Sequence, residues 1–172
     1  MTENYVNVLG AKYPNVQVMC DGDPSVYENL IHLSGDPIPP KEELDALMRE
    51  VSTMDIWYRI KAERDMRKAG GVKVNGYWFH SDDASRIQQI ALTMLKTTFP
   101  PNLQWKTMTG EFITMSHELA VLVFQTSIAS DTVIFAIAEN HRKQMLESGD
   151  PESYNFSGGW PMTYAESPEY VA

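Results

Sequence analysis

The chain of 172 residues has one cysteine, Cys20, and that shortage removes whole classes of protein at once. A single thiol builds neither an intramolecular disulfide framework nor a multi-cysteine metal cluster. It acts as a nucleophile only where a neighbouring base lowers its pKa, and the commoner role is that of a small half-buried apolar side chain. Basic residues are scarce as well: 14 Lys and Arg face 23 Asp and Glu, for a formal charge of -9. That balance does not suit DNA or RNA, whose phosphates are neutralised by Lys and Arg. It suits solubility, or a protein partner with a basic face. The opening MTENYVNVLGAKYP lacks the basic start and apolar core of a secretory leader, so assembly in a reducing cytoplasm is the expectation. The most apolar stretch, 119–138, is interrupted by Gln125, Ser127, Ser130 and Asp131. A central aspartate is costly in lipid, which favours a buried helix over a membrane span.

Catalytic signatures are equally sparse. There is no Gly-x-Ser-x-Gly elbow, and neither Gly70-Gly71 nor Gly158-Gly159 is followed by the Lys-Ser/Thr of a phosphate loop. Ser116-His117-Glu118 has the residue types of a triad, but three adjacent residues cannot face one another as nucleophile, base and orienter. His80, Asp82 and Asp83 offer a His-x-Asp pair, yet a stable metal site needs three or four convergent ligands, and His32, His117 and His141 are scattered. Helix capping explains the spacing better: Ser81 or Asp82 accepts hydrogen bonds from the free amides of a helix start, where acidic groups also meet the positive end of the dipole. The expectation is a protein that is not an enzyme, with no catalytic residue, no cofactor and no metal.

What the chain does contain is periodicity. An apolar content of 43% supplies a core for one domain with appended elements. Residues 1–40 read as a small β or irregular element, with candidate strands at 16–19 and 27–33, ended by the extended Asp36-Pro37-Ile38-Pro39-Pro40. A helix spans 41–69: Leu44, Leu47, Met48, Val51, Met54, Tyr58, Ala62 and Met66 form its stripe, and Trp57, Ile56 and Ile60 fall off it. Gly70-Gly71 closes it. The segment 70–149 then reads hairpin, helix, hairpin, helix. The first hairpin turns at Asn75-Gly76, and its helix carries Ile87, Ile90, Ala91, Met94, Leu95 and Phe99, stopped by Pro100-Pro101. The second turns at Thr109-Gly110, and its helix carries Leu119, Leu122, Val123, Ile128, Val133, Phe135 and Ile137, with a break suggested at Ser130-Asp131-Thr132. VNGYWFHS at 74–81 echoes MTGEFITM at 108–115 at a constant offset of 34. The class is α+β, with a long helix, two hairpins able to join one small antiparallel sheet, and two further helices packed on it.

The last segment, 150–172, changes character: four acidic residues, no Lys or Arg, three Pro and two Gly, with Tyr154, Phe156, Trp160, Tyr164 and Tyr170 strung along it. Solvated tails are poor in aromatics, so this one reads as an extended strap laid on a partner or on its own molecule. Those five aromatics and Trp57 are the candidate partner-binding residues.

Two segments carry a family likeness. RDMRKAGGVKVNGYWFHSDDASRIQQIALTM, the Trp of LQWKTMTGEFITMS and the long helix ending near HRK resemble the domain-of-unknown-function family 4376, found in tail-associated proteins of bacteriophages. AKYPNVQVMCDGDPSVYENLIHLSGDPIPPKEELDAL is similar to short phage proteins of the XkdW type. The resemblance implies a virion protein of the tail, baseplate or tail fibres, assembled in the host cytoplasm and bound to other tail proteins or to copies of itself, with no nucleic acid or membrane. A fibre-assembly chaperone that leaves before the virion is complete is the alternative. It carries over no catalytic residue.

Overall fold

Asn4 accepts a hydrogen bond from the backbone N–H of Asn7 at 2.9 Å and caps a short helix, α1 (Tyr5–Lys12). The sequence suggests only β or irregular structure here, so the helix is a correction. Its buried face is Tyr5, Val8 and Leu9, too short a run for periodicity to separate helix from strand. In the computed structural model, which describes residues 4–170, the order continues with β1 (Val16–Cys20), β2 (Leu30–Gly35), α2 (Lys41–Lys68), β3 (Val72–Val74) and β4 (Tyr77–Phe79). Then come α3 (Asp83–Met94), β5 (Gln104–Lys106), β6 (Phe112–Thr114) and α4 (His117–Glu147). The class is α+β, as the patterning indicates. The strand expected at 27–33 starts later, because Tyr27–Asn29 forms a 3-10 turn ahead of β2.

The chain divides into two compact units, one from residues up to Arg59 with Lys143–Tyr154, the other from Ile60–Arg142 with Asn155 onward. In the first, β1 and β2 pair antiparallel from Val16 opposite Gly35 to Cys20 opposite Leu30. Gly35 has φ +85°, and a Cβ there would lie 1.7 Å from the Asn15 carbonyl oxygen, so only glycine fits. The core is Tyr5, Val8, Leu9 and Leu44, with Val16, Val18, Leu30 and Leu47 packed on it.

In the second unit β3 and β4 are joined by Asn75 and Gly76 at φ +51° and +87°, the two positive values of a type I′ turn. The second hairpin, β5–β6, needs five connecting residues, and Thr107 N–H closes that turn on the Glu111 carbonyl at 2.8 Å. The echo at offset 34 is therefore one of sequence more than of geometry: Trp78 is buried whereas its counterpart Phe112 is exposed, and Phe79 is buried where its counterpart Ile113 is half-buried. The hairpins also stay separate two-stranded sheets. A single bond, Met108 N–H to the Trp78 carbonyl at 2.8 Å, links them, and Met108 already lies in the turn beyond β5, where no ladder can continue. Val72, Val74, Phe79, Met115, Ala120 and Val123 make this unit's core.

The helices bury faces other than those the periodicity selects. In α2, Leu44 is buried, but Met54, Tyr58 and Met66 are exposed while Ile56 and Ile60 are buried. At 3.6 residues per turn, Ile56 and Ile60 stand about a third to nearly half a turn around from Leu44. In α3, Ile87, Ile90, Met94 and the following Leu95 all face solvent, and the fully buried residue is Gln89. Helix α4 is unbroken through Ser130-Asp131-Thr132. Thr132 satisfies its hydroxyl on the Ile128 carbonyl at 3.0 Å, and Asp131 is held by Arg86. Nor is α4 a buried helix. Its most apolar window has a mean hydropathy of 1.7, long and apolar enough to cross a membrane by composition alone, yet only 22% of that window is buried. Leu122, Ile128, Val133 and Phe135 are exposed, and the buried seam is Ala120, Val123, Ser127, Ile134 and Ala138.

Candidate interaction surface

The end of α2 is fixed by a small polar network. The Ser81 hydroxyl donates to the Lys68 carbonyl at 2.6 Å and accepts from Gly71 N–H at 2.9 Å, so it closes α2 rather than opening α3. Asp82 is the cap of α3, accepting from Ser85 N–H at 3.1 Å and from its hydroxyl at 2.7 Å, and these bonds hold its carboxyl below the ordinary range. Arg86 donates to the Ser81 and Lys68 carbonyls and forms a bidentate pair with Asp131 at 2.6 and 2.8 Å. His80 is exposed and Asp83 sits in the first turn. Among the described residues no group of three or more His, Cys, Asp or Glu is arranged to hold a metal ion.

Onto this frame the residues from 155 to 170 are strapped. Tyr164 N–H donates to the Gly70 carbonyl at 2.8 Å. A Cβ on Gly70 would lie 2.5 Å from the Thr163 methyl, so the glycine admits the strap as well as ending the helix. Arg67, buried, grips the strap through Glu166 at 2.8 and 3.1 Å and through the Pro161 carbonyl at 2.8 Å, and pairs with Glu63 at 2.6 Å. Glu166 also accepts from Thr163 N–H at 2.9 Å; the Arg67 bonds first, then this one, hold its carboxyl below the ordinary range. Farther on, Glu169 accepts from Lys73 Nζ at 2.5 Å and from Trp78 Nε1 at 3.2 Å. Those two partners pull its pKa down to about 2.

The candidate residues fall into distinct places. Tyr164 is 8% exposed, wedged 5.9 Å from Trp78 and 5.4 Å from Tyr170, so its ring is committed within the chain. Trp160 is half-buried, 5.2 Å from His141, under the Arg67 guanidinium, with Nε1 on the Phe156 carbonyl at 2.7 Å. Phe156 is half-buried, and Tyr170 is exposed. Tyr154 belongs to the other unit, where its hydroxyl meets Gln144 Oε1 at 3.0 Å and burial raises its pKa. Trp57 is half-buried on α2. The strap is thus extended and aromatic, but it docks on its own chain. Sequence reasoning overlooks Arg67, Lys73, Glu166 and Glu169, whose one visible signal is a tail with acidic residues and no bases of its own.

The family model described as Domain of unknown function (DUF4376) matches residues 54–158, more than half of the chain. The chain belongs to the DUF4376 family. No curated protein and no solved structure matches it. The DUF4376 segment contains the receiving surface, with Arg67, Lys73, Trp78, Arg86 and Asp131, and stops before Trp160, Tyr164, Glu166 and Glu169. The anchors of the strap are therefore an extension beyond the family segment.

Proposed function

We propose that this DUF4376 member is a non-enzymatic structural or adaptor protein of a bacteriophage tail, at the baseplate or the attachment of a tail fibre. It is assembled in the host cytoplasm, carried in the virion, and acts through contacts with other tail, baseplate or fibre proteins. The observation that carries this reading is apolar surface on a braced frame: Ile87 and Met94 of α3 and Leu122, Ile128 and Val133 of α4 are exposed while Arg86–Asp131 ties the two helices together. Large exposed apolar patches mark interaction sites. The phage context comes from the resemblance of residues 64–146 to tail-associated proteins and of the N-terminal segment to the XkdW type. A charge of -9 weighs against nucleic acid as a partner.

The test is a mass-spectrometric inventory of purified particles. The intact chain at fixed stoichiometry supports the reading, and its absence from particles refutes it. A second reading, a tail-fibre assembly chaperone, draws on the net charge of -9 together with the exposed apolar side chains, a combination suited to a transient client. Co-expression separates the two, since a chaperone raises the yield of soluble fibre without remaining in particles.

A further inference from the structure

The strap is held by bonds that part without stranding a charge. Arg67 keeps Glu63 at 2.6 Å when Glu166 leaves, so its buried guanidinium is never orphaned. The other ionic anchors are shallow: Glu166, Lys73 and Glu169 have 46%, 42% and 39% of their side-chain surface in water. Ion pairs this exposed contribute little net stability. The strap is also built as a unit. Glu166 accepts from the Thr163 N–H and hydroxyl across the 3-10 turn Tyr164–Glu166, and Tyr170 folds back on Tyr164. Just before it stand Gly158 and Gly159, both exposed, and a Cβ added to either meets no atom within 4 Å. Gly159 lies at φ +83°, so the chain has a glycine's freedom where the strap begins. The bond from Trp160 Nε1 to the Phe156 carbonyl spans this joint.

We infer that copies of this chain exchange straps: the surface of Arg67, Gly70, Lys73 and Trp78 takes residues 160–170 of a second copy in place of its own. The fit is already complete within one chain. Tyr164 N–H meets the Gly70 carbonyl, Glu166 meets Arg67, and Glu169 meets Lys73 and Trp78 Nε1. A second copy carries the same strap and makes the same bonds, so exchange needs no new contact. The charges select it too, since the receiving side presents Arg67 and Lys73 while the strap brings Glu166 and Glu169 and has no Lys or Arg. Surface and occupant are separable in the sequence, the one inside the DUF4376 segment and the other beyond it. The choice between own and foreign strap is set by concentration. Through its short link the chain's own strap acts at roughly millimolar effective concentration, so exchange belongs to crowded copies more than to dilute ones. The inference is independent of whether the protein is carried in a virion.

The test uses two full-length variants, neither of which closes well on itself. Glu166→Gln with Glu169→Gln leaves the surface intact and the strap weak; Arg67→Met with Lys73→Ala leaves the strap intact and the surface weak. Both are expected to keep the wild-type circular dichroism spectrum. They are mixed and coupled with a water-soluble carbodiimide, which joins an amine to a touching carboxylate. Neither variant holds both Lys73 and Glu169, so a Lys73–Glu169 product, read by peptide mass, arises only between copies. The product is expected in the mixture, and to fall about tenfold or more when the second variant also carries Tyr164→Ala. Should either variant fold differently, wild-type chains decide. Natural-abundance and nitrogen-15 copies, mixed at about 1 mM to match the strap's effective concentration, are expected to give Lys73–Glu169 products of mixed label. Folded variants that yield no product overturn the inference, as does a product indifferent to Tyr164→Ala, and so do wild-type products without mixed label.

Discussion

Removing Asp131 tests whether one ion pair holds α3 to α4. Arg86 and Asp131 keep 16% and 21% of their side-chain surface, and the guanidinium also serves the Ser81 and Lys68 carbonyls. Breaking a fully buried pair costs about 3–5 kcal/mol, because the surviving charge is left without a partner. With roughly a fifth of each side chain in water, about 2–3 kcal/mol is expected for Asp131→Ala. Arg86→Ala is expected to cost slightly more, about 3 kcal/mol, since the Ser81 carbonyl also loses its donor. The two changes share one interaction, so the double variant should fall short of their sum by about 1–2 kcal/mol. Replacing the pair by Met and Leu, which leaves no orphaned charge, should recover most of the loss. The assay is urea denaturation followed by circular dichroism at low and high salt, and the coupling should survive high salt because the pair is mostly withdrawn from water. A coupling below about 0.5 kcal/mol, the value of an exposed pair, refutes the argument.

The remaining predictions concern the strap and the turn beneath it. The pKa of Glu169 is lowered to about 2, so its contribution is complete above the unfolded value of 4.5 and is lost as pH falls toward 2. Acid titration of tryptophan fluorescence, with Trp78 as reporter, should show this window in the wild type and lose it in Glu169→Gln; identical curves refute it. Gly71→Ala meets both φ +94° and the Met108 sulfur at 2.4 Å, whereas Gly76→Ala has φ +87° and open space. Left-handed backbone costs about 1–2 kcal/mol in each, and crowding adds about 1–3 kcal/mol at Gly71 alone. Equal losses in urea would contradict the role given to Met108. Ser81→Ala removes the acceptor of the Gly71 N–H at a position 1% exposed, and a loss of about 1–3 kcal/mol in the same assay is expected.

Punctuation was legible and facing was not. Asn75-Gly76 marks its turn and Asp82 its cap, because these choices are settled within four residues. The strap's ion pair, Arg67 with Glu166, spans 99 residues and Arg86 with Asp131 spans 45, distances at which no local pattern operates. The aromatics of the tail did signal docking; which surface received them depended on Arg67, Lys73 and Trp78, each ordinary in its own local sequence. Periodicity named the right residues on α3 and gave them the wrong side. It assumes that an apolar stripe faces its own core, but α3 turns inward Gln89, whose amide donates to the His80 carbonyl at 2.7 Å, and Leu92. Once those close the inner face, Ile87, Ile90 and Met94 have nothing left to cover within the chain. The same stripe that would be a core signal in an isolated domain is left, with the core already filled, on the surface.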